Sequence, residues 1–356
     1  MRVERVRVAI LFGGRSAEHE VSVVSAQGVL AAIDRDAFEP IPVGITRSGA
    51  WLTPEETAAA LARIGPGHYA ALPDVEDEGV LARTSALAVL RRVDVAFPLV
   101  HGTHGEDGTL QGLLELADVP YVGAGVAASA LGMDKALQKA LLRQASLPVP
   151  DWLTVSWHRW RQDAQAVERE AGETIGYPCF VKPANGGSSI GTAKVAAPTE
   201  LAPAMAAAFR YDGKVLIEKA IAGREIECSV LGNHEPVASP LGEVVPTRAF
   251  YDYDAKYMDP TTSLIVPTPV PAAAERRIRD LAVAAFRAID GAGMARVDFF
   301  LAHDGQVYIN EINTIPGFTP ISMYPKLWEV AGLCYRDLIT RLIELALERW
   351  REERRG

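Results

Sequence analysis

The chain has 356 residues and a formal net charge of −9 at pH 7, with 49% hydrophobic and 23% charged residues. This composition is typical of a globular protein of two or three domains and excludes a largely disordered chain. The acidic balance argues against a nucleic-acid partner, and the absence of an apolar run of about 18 residues argues against a membrane span. Three widely separated cysteines suit a reducing compartment. Residues 6–12 run directly into glycine and do not form the apolar core of a signal peptide. We therefore expect a cytoplasmic protein.

Strands and helices alternate over the first third of the sequence. Apolar runs predict strands at residues 6–12, 39–46, 93–99 and 120–123. Helical spacing of apolar residues predicts a helix that Ser16 caps and a second helix at 110–116. Such alternation is typical of a parallel sheet covered by helices. We therefore predict an N-terminal open parallel α/β domain over residues 1–127.

The remaining sequence predicts two modules of the α+β class. A helical stretch at 128–145 is followed by a proline-containing exit at 147–150. Further strands are predicted at 179–182, 192–195, 215–218, 225–231 and 236–241, and further helices at 198–209, 272–289 and 335–351. We predict a central module over residues 128–221 and a C-terminal module over residues 222–356.

Two pairs of polar residues interrupt apolar runs in the C-terminal module. Arg296 and Asp298 lie two apart in one run, and Glu311 and Asn313 lie two apart in the next. Residues i and i+2 of a strand point to the same face, and a short turn at 304–305 makes the two runs a hairpin. Mg²⁺ prefers oxygen ligands together with phosphates and water. Asp298, Glu311 and Asn313 therefore predict a magnesium–nucleotide site, and a solvent-facing hairpin edge is the alternative.

A loop of small residues at 182–191 begins with Lys182 and joins two predicted strands. Backbone N–H groups of such loops can surround phosphate oxygens, and a strand-borne lysine supplies a point charge for phosphate. The order Gly-x-x-x-x-Gly-Lys is absent, so the loop is not a P-loop. A mobile hairpin is the alternative interpretation.

Other polar loops are candidate ligand sites. The loop at 13–20 lacks Gly-x-Gly-x-x-Gly, which disfavours a dinucleotide, although Glu18 could hold an ammonium group. His101 and His104 lack a third nearby ligand on the same face, so we expect hydrogen-bonding roles ahead of zinc binding. Residues 250–257 carry three tyrosines and a lysine and predict a lid over a site.

Taken in chain order, these segments and several others resemble the D-alanine–D-alanine ligases of the ATP-grasp superfamily, over about residues 6–347. The matching motifs are Gly13-Gly14-x-Ser16-x-Glu18-x-Glu20-Val21-Ser22, His101-Gly102-x-x-Gly105-Glu106-Asp107-Gly108-x-x-Gln111-Gly112, Met133-Asp134-Lys135, Val181-Lys182-Pro183 with Gly187-Ser188-Ser189-x-Gly191, Glu218-Lys219, Tyr251-Asp252-Tyr253-x-Ala255-Lys256-Tyr257, Arg296-x-Asp298, and Glu311-x-Asn313-Thr314-x-Pro316-Gly317. The resemblance implies an ATP-grasp fold in the two α+β modules.

The resemblance also implies a nucleotide site between the two modules. The residues implied for ATP are Lys135, Lys182, Ser189, Glu218, Lys219, Ile221, Glu225 and Lys256. Two Mg²⁺ ions, which Mn²⁺ can replace, would bind Asp298, Glu311 and Asn313, with Glu311 bridging.

The implied reaction joins two D-alanine molecules for peptidoglycan precursor synthesis. The γ-phosphoryl group of ATP would first form an acyl phosphate on one D-alanine, which the amine of the second would attack. The roles implied for residues around the substrates are Glu18 for the first ammonium group with His101 nearby, Arg296 and Gly317 for the oxyanion, Ser322 and Met323 for the second D-alanine, and Ser188 and Tyr257 for a link between Glu18 and the lid. A homodimer is also implied.

The lid sequence favours a dipeptide product. Ligases that make D-alanyl-D-lactate resemble a different pattern, with histidine where this chain has Tyr257. A neutral tyrosine does not attract the carboxylate of lactate, so the uncharged amine form of D-alanine competes better. A D-alanine–D-lactate or D-alanine–D-serine ligase is the alternative. An NAD-dependent oxidoreductase is disfavoured by the missing glycine motif, and a non-catalytic nucleotide-binding protein by the presence of the lysines and metal ligands.

Overall fold

The structure, a computed structural model, describes residues 5–74, 88–187, 189–245 and 263–354. Its strands are β1 (Val6–Gly13), β2 (Phe38–Ile45), β3 (Val95–Pro98), β4 (Trp152–Ser156), β5 (Cys179–Pro183), β6 (Ala193–Val195), β7 (Lys214–Lys219), β8 (Gly223–Gly232), β9 (Val237–Val245), β10 (Ser263–Ile265), β11 (Gly293–Ala302) and β12 (Val307–Asn313). Its helices are α1 (His19–Ala32), α2 (Pro54–Ile64), α3 (Thr109–Leu116), α4 (Val126–Met133), α5 (Lys135–Gln144), α6 (Trp157–Gln162), α7 (Ala164–Thr174), α8 (Leu201–Ala208), α9 (Ala272–Ala288), α10 (Met323–Val330) and α11 (Tyr335–Glu353). No helix in these ranges is both long and apolar enough to cross a membrane.

The first sheet has the strand order β2-β1-β3 and is parallel throughout. The central strand β1 is buried from Val8 to Phe12, as expected when helices cover both faces of a parallel sheet. The predicted open parallel α/β domain is therefore confirmed. The helix predicted after Ser16 is α1, but its N-cap is Glu18, and the Ser16 hydroxyl accepts a hydrogen bond from the Glu18 N–H.

The predicted fourth strand at 120–123 does not form. Tyr121 makes only an isolated bridge to Ala96. Pro120 has no N–H to donate to a ladder, and Gly123 has a φ of 97°, which turns the backbone away from an extended conformation. The prediction of a full strand at this position was wrong because these two residues limit the pairing to one bridge.

The two later sheets are antiparallel. One has the order β4-β7-β5-β6 and the other β10-β9-β8-β11-β12. Each lies inside one of the two predicted α+β ranges, 128–221 and 222–356. Helices α7 and α8 pack on the first of these sheets, and α9 packs on the second. The prediction of two α+β modules is confirmed, whereas the predicted domain boundaries remain a prediction.

The single helix predicted at 128–145 is two helices. Asp134 leaves the helical conformation, with φ −83° and ψ 99°, and its carboxylate accepts hydrogen bonds from the N–H groups of Ala136 and Leu137. This arrangement is an N-cap, which begins a new helix at Lys135. The break directs the first turn of α5 toward the β4-β7-β5-β6 sheet. There the Lys135 N–H donates a hydrogen bond to the carbonyl of Ala184, directly after β5, at 2.9 Å.

The last helix joins the first domain to the C-terminal module. Leu338, Leu342 and Ile343 of α11 share one buried cluster with Phe97 of the first sheet and Met294 of β11. Although α11 lies in the predicted C-terminal range, it packs against residues of both units. The N-terminal domain therefore depends on the end of the chain for part of its core.

We predict that Leu342→Ala will lower the free energy of unfolding by about 2–5 kcal/mol, because a fully buried leucine leaves a cavity when it is shortened. Urea denaturation followed by circular dichroism measures this change. The matched control is Leu116→Ala, since Leu116 is 90% exposed, and it should change stability by less than about 0.5 kcal/mol. Equal losses in the two variants would contradict the packing described for α11.

Candidate active site between the two modules

A cavity of about 380 Å³ lies where the two antiparallel sheets face each other. Its walls come from β5, β6, β8, β11 and β12, from the start of α5, from the loop between β5 and β6, and from the segment that connects β7 to β8. The lining residues for which the sequence predicts a role toward ATP or a metal ion are Lys135, Lys182, Ser189, Ile221, Glu225 and Glu311. Lys219 lines a separate hollow of about 200 Å³, which shares Ile221 with the cavity.

Lys135 stands at the start of α5 and reaches the small-residue loop. Its ammonium group donates a hydrogen bond to the Gly186 carbonyl at 2.6 Å and lies 3.6 Å from the Glu311 carboxylate. The N-cap at Asp134 fixes the first turn of α5 and thus the direction of this side chain. A cation is therefore held between the predicted phosphate loop and the predicted metal ligands.

Three charged side chains lie in a row that starts at Lys182 in the cavity wall and continues away from the cavity through Glu218 to Lys139. The Lys182 ammonium group is 2.7 Å from Glu218 Oε1, and the Lys139 ammonium group is 2.6 Å from Glu218 Oε2. Burial by itself would raise the pKa of Glu218, but the two ammonium groups outweigh burial and lower it. Glu218 is 1% exposed, so its side chain contacts the two lysines and does not line the cavity.

Lys139 was missed by the sequence analysis. It follows Lys135 by four residues in α5 and precedes the buried Leu142 by three, so all three lie on one face of the helix. A lysine on the apolar face of a helix is a signal of a buried partner. Burial lowers the pKa of Lys139, and the Glu218 carboxylate opposes that effect.

The predicted hairpin of β11 and β12 is present. Asp298 pairs directly with Glu311, and Arg296 pairs with Asn313, so the four polar side chains form two adjacent cross-strand pairs. Asn313 Nδ2 donates a hydrogen bond to Asp298 Oδ2 at 3.1 Å. The local spacing of residues along two neighbouring strands was thus sufficient to predict this arrangement.

Arg296 is held by two carboxylates. Its Nε lies 2.7 Å from Asp298 Oδ1 and 3.1 Å from Glu227 Oε2, and a second nitrogen lies 2.7 Å from Asp298 Oδ2. Burial opposes the charge of Arg296, but the carboxylates raise its pKa well above the ordinary value. Glu227 comes from β8, and no role was predicted for it from the sequence.

The predicted metal ligands fit a partial coordination shell for a hard cation. The carboxylates of Asp298 and Glu311 face each other across β11 and β12, and the Asn313 amide is next to them. In the part of the chain that the structure describes, no group of three or more His, Cys, Asp or Glu side chains could hold a metal ion. Two carboxylates and one amide oxygen suit Mg²⁺ only when phosphate and water oxygens complete the shell.

Glu18 of the first domain approaches the same region from the other side. It is 8% exposed and lines a hollow of about 200 Å³ together with Gly102 and Gly187. A Cβ atom at Gly187 would lie 2.7 Å from Glu18 Oε2, so the Glu18 carboxylate lies directly against the loop backbone at this glycine. The hollow shares Gly186 with the main cavity, which places Glu18 near the small-residue loop.

His101 and Glu106 connect the loop after β3 to the loop after β12. His101 Nδ1 lies 3.1 Å from the Ile315 carbonyl oxygen, and Glu106 Oε2 accepts a hydrogen bond from the Gly102 N–H at 2.6 Å. Burial of the carboxyl group raises the pKa of Glu106 to about 8, and the charge of Glu18 adds to this effect. Glu106 belongs to the motif that begins at His101, but no role was predicted for it from the sequence.

The residues predicted for the second substrate begin α10. Ser322 Oγ lies 2.7 Å from Thr319 Oγ1, and a Cβ at Gly317 would lie 3.2 Å from Ser322 Oγ. Met323 is 5% exposed, and its side chain packs in a buried cluster with Val244. The roles of Gly317, Ser322 and Met323 stay predictions. The Met323 side chain lies in the core, so it does not face a substrate in this structure.

Ser188, Lys256 and Tyr257 lie outside the described residues. Their predicted roles in the lid and in the link to Glu18 therefore stay predictions. The same holds for the argument that Tyr257 favours a dipeptide over a depsipeptide.

An open α/β domain followed by two antiparallel modules around a cavity is the architecture of the ATP-grasp ligases. The model described as D-ala D-ala ligase N-terminus matches residues 7–124, and the model described as D-ala D-ala ligase C-terminus matches residues 141–344. The chain belongs to the D-alanine–D-alanine ligase family.

Individual relatives agree with this assignment. A D-alanine–D-alanine ligase of Heliobacterium modesticaldum is 50% identical over 354 residues, which cover 98% of this chain and 96% of that protein. The solved D-alanine–D-alanine ligase of Coxiella burnetii is similar with a TM-score of 0.81 and 37% identity, over 99% of this chain and 96% of the other. The VanG D-Ala:D-Ser ligase of Enterococcus faecalis also gives a TM-score of 0.81, with 35% identity over 96% of this chain and 100% of the other.

We predict that Glu106→Gln will remove part of the pH dependence of stability. Because the folded-state pKa of Glu106, about 8, lies above the ordinary value of 4.5, the folded protein holds a proton that the unfolded chain releases between these values. The stabilisation from Glu106 is thus present below about pH 4.5 and is lost as the pH rises toward 8.

Urea denaturation of the parent chain and of Glu106→Gln at pH 5.5, 7 and 8.5 tests this prediction. The difference in the free energy of unfolding between the two proteins should change steadily with pH, in favour of the glutamine variant at high pH. A difference that is independent of pH would contradict the raised pKa of Glu106.

Proposed function

We propose that this chain joins two D-alanine molecules in an ATP-dependent reaction that passes through a D-alanyl phosphate. The observation that carries the proposal is the position of the Asp298–Glu311 pair. It lies beside a cavity lined by Lys135 and Lys182, and a neighbouring hollow holds Glu18. Cations for a triphosphate, oxygen ligands for a divalent ion and a carboxylate for an ammonium group are thereby brought together.

The cavity suits ATP in size and chemistry. Its volume of about 380 Å³ lies within the usual range for small-molecule sites. Phe180 and Ile221 supply apolar surface for a base, and Glu225 supplies a carboxylate for ribose hydroxyl groups. Lys135 and Lys182 provide positive charge for the phosphates.

Asp298, Glu311 and Asn313 would hold Mg²⁺, or Mn²⁺ in its place, with two ions in the occupied site. When bound, the divalent ions neutralise negative charge on the phosphoryl group during its transfer. Glu311 is suited to bridging the two ions because it pairs with Asp298 across the hairpin, and its carboxylate lies 3.6 Å from the Lys135 ammonium group.

The first chemical step activates a carboxylate. A carboxylate oxygen of the first D-alanine attacks the γ-phosphorus of ATP, the bond from this phosphorus to the bridging oxygen breaks, and ADP leaves. Glu18 would hold the ammonium group of this D-alanine, and Lys135 would balance charge on the phosphates. Positioning and electrostatic stabilisation account for most of the catalysis in such transfers.

The second step forms the amide bond. The neutral amine of the second D-alanine attacks the acyl carbon, and a tetrahedral oxyanion forms. The nitrogen releases one proton, the bond from the acyl carbon to the phosphate oxygen breaks, and inorganic phosphate leaves as the carbonyl is restored. Arg296, fixed by Asp298 and Glu227, would stabilise the oxyanion together with the Gly317 backbone. Because water would hydrolyse the acyl phosphate, closure by the predicted lid protects it.

The cellular setting is also proposed. The three cysteines are free thiols, and two of them are buried, which supports a location in the reducing cytoplasm. The family resemblance supports a homodimer that supplies the dipeptide for peptidoglycan precursor synthesis. Analytical ultracentrifugation of the purified chain measures its assembly state directly.

The activity is tested by phosphate release from ATP and Mg²⁺ with D-alanine alone, and with D-alanine plus D-lactate or D-serine, with products identified by mass. D-alanyl-D-alanine as the main product at neutral pH supports the proposal. A depsipeptide or D-alanyl-D-serine as the main product would show that the second substrate is D-lactate or D-serine. The proposed mechanism would be unchanged. No D-alanine-dependent phosphate release would contradict the proposal.

We predict that Glu311→Gln will lower kcat by at least about 100-fold, because an amide replaces a charged metal ligand. Phosphate release at several Mg²⁺ concentrations measures the loss. The matched control is Glu329→Gln on α10, an exposed glutamate outside the cavity lining, which should keep the parent rate. Near-parent turnover in a folded Glu311→Gln protein would refute the metal assignment.

A further inference from the structure

Lys139 is a buried cation whose function is not explained by contact with a ligand. Its side chain is 1% exposed, and it is not among the residues that line the cavity. Its ammonium group lies 2.6 Å from Glu218 Oε2 and 3.3 Å from the Asn310 carbonyl oxygen. A lysine is rarely buried to this degree, because removing its charge from water is costly unless an opposite charge is adjacent.

The neighbours of Lys139 form a set of three charges. Glu218 has one carboxylate oxygen directed to Lys139 and the other to Lys182, and Lys182 also lies 3.2 Å from Asn310 Oδ1. Lys182 lines the cavity, whereas Lys139 lies on the far side of Glu218. The three groups together carry a net charge of about +1, since two ammonium groups surround one carboxylate.

Lys139 changes the electrostatic attraction that an anionic ligand in the cavity would feel. Without Lys139, Lys182 and Glu218 would form a neutral pair, and the carboxylate 2.7 Å behind the ammonium group would cancel its attraction for phosphate. With Lys139 present, the charge of Glu218 is shared between two cations. Glu218 then cancels less of the positive charge that Lys182 presents to the cavity, which Glu225 and Glu311 also line.

We propose that Lys139 is a positioning residue of the nucleotide site, where it balances Glu218 so that Lys182 attracts the phosphates of the nucleotide. This inference rests on the proposed function, because it takes the cavity to be the site of ATP. It differs from a purely structural role, in which Lys139 would only hold α5 against β7 and β12. A structural role affects every ligand of the cavity equally, whereas charge balance affects charged ligands alone.

The test compares ATP with adenosine in the absence of D-alanine, both in the presence of Mg²⁺. Isothermal titration calorimetry of the parent chain comes first, and ATP binding there establishes the nucleotide site independently of Lys139. Lys139→Met keeps the length of the side chain and removes its charge. It should weaken ATP binding by about 10-fold and leave the affinity for adenosine within about 2-fold.

Three further variants make the comparison specific. Lys139→Arg keeps the charge and should retain most of the affinity for ATP. Lys139→Gln can still donate a hydrogen bond to Glu218, and it replaces the methionine variant if that protein does not fold. Lys326→Met is the matched control, since Lys326 is a partly exposed lysine on α10, outside the cavity lining. It should bind both ligands as the parent chain does.

The two ligands give distinct outcomes. A selective loss of ATP affinity in the uncharged variants, with retention in Lys139→Arg, supports the charge-balancing role. Equal weakening of ATP and adenosine would show that Lys139 only maintains the fold, and unchanged ATP affinity would show that its charge does not reach the cavity. Either of these results would overturn the inference while leaving the nucleotide site established by the parent chain intact.

Discussion

Buried charge must be paired within the protein, and this requirement governs the junction of the two antiparallel modules. Lys182 on β5, Glu218 on β7 and Lys139 on α5 satisfy one another only if these elements keep their present positions. On the other sheet, Arg296 depends in the same way on Asp298 and Glu227. The ion pairs that offset the cost of burying these charged side chains therefore also hold the two modules in the arrangement that forms the site.

Antiparallel pairing explains why the chemistry is concentrated at one place. Asp298 pairs with Glu311 on one side and with Glu227 on the other, so three acidic side chains lie in one row across β8, β11 and β12. Like charges in such a row repel each other. Arg296 offsets part of that repulsion, and a bound divalent cation would offset more, which gives the proposed metal site a physical reason for its position.

The first domain contributes to the site through loops at the carboxyl ends of its parallel strands, where ligands of open α/β sheets usually bind. Glu18 follows β1, and His101 follows β3. His101 reaches the Ile315 carbonyl beyond β12, and α11 packs its buried face against the first sheet. Substrate and nucleotide regions are therefore held together by contacts between parts of the chain that are distant in sequence.

The sequence by itself determined the fold class, the order of the motifs and the hairpin with Asp298 and Glu311, because strand periodicity and a short turn act over neighbouring residues. It did not determine the break at Asp134, the single bridge at Tyr121, or the partners of the buried charges. Lys139 meets Glu218, and Glu227 meets Arg296, across separations of many residues. Only the tertiary structure decided those pairs, since the register between distant strands and helices depends on packing of the whole core.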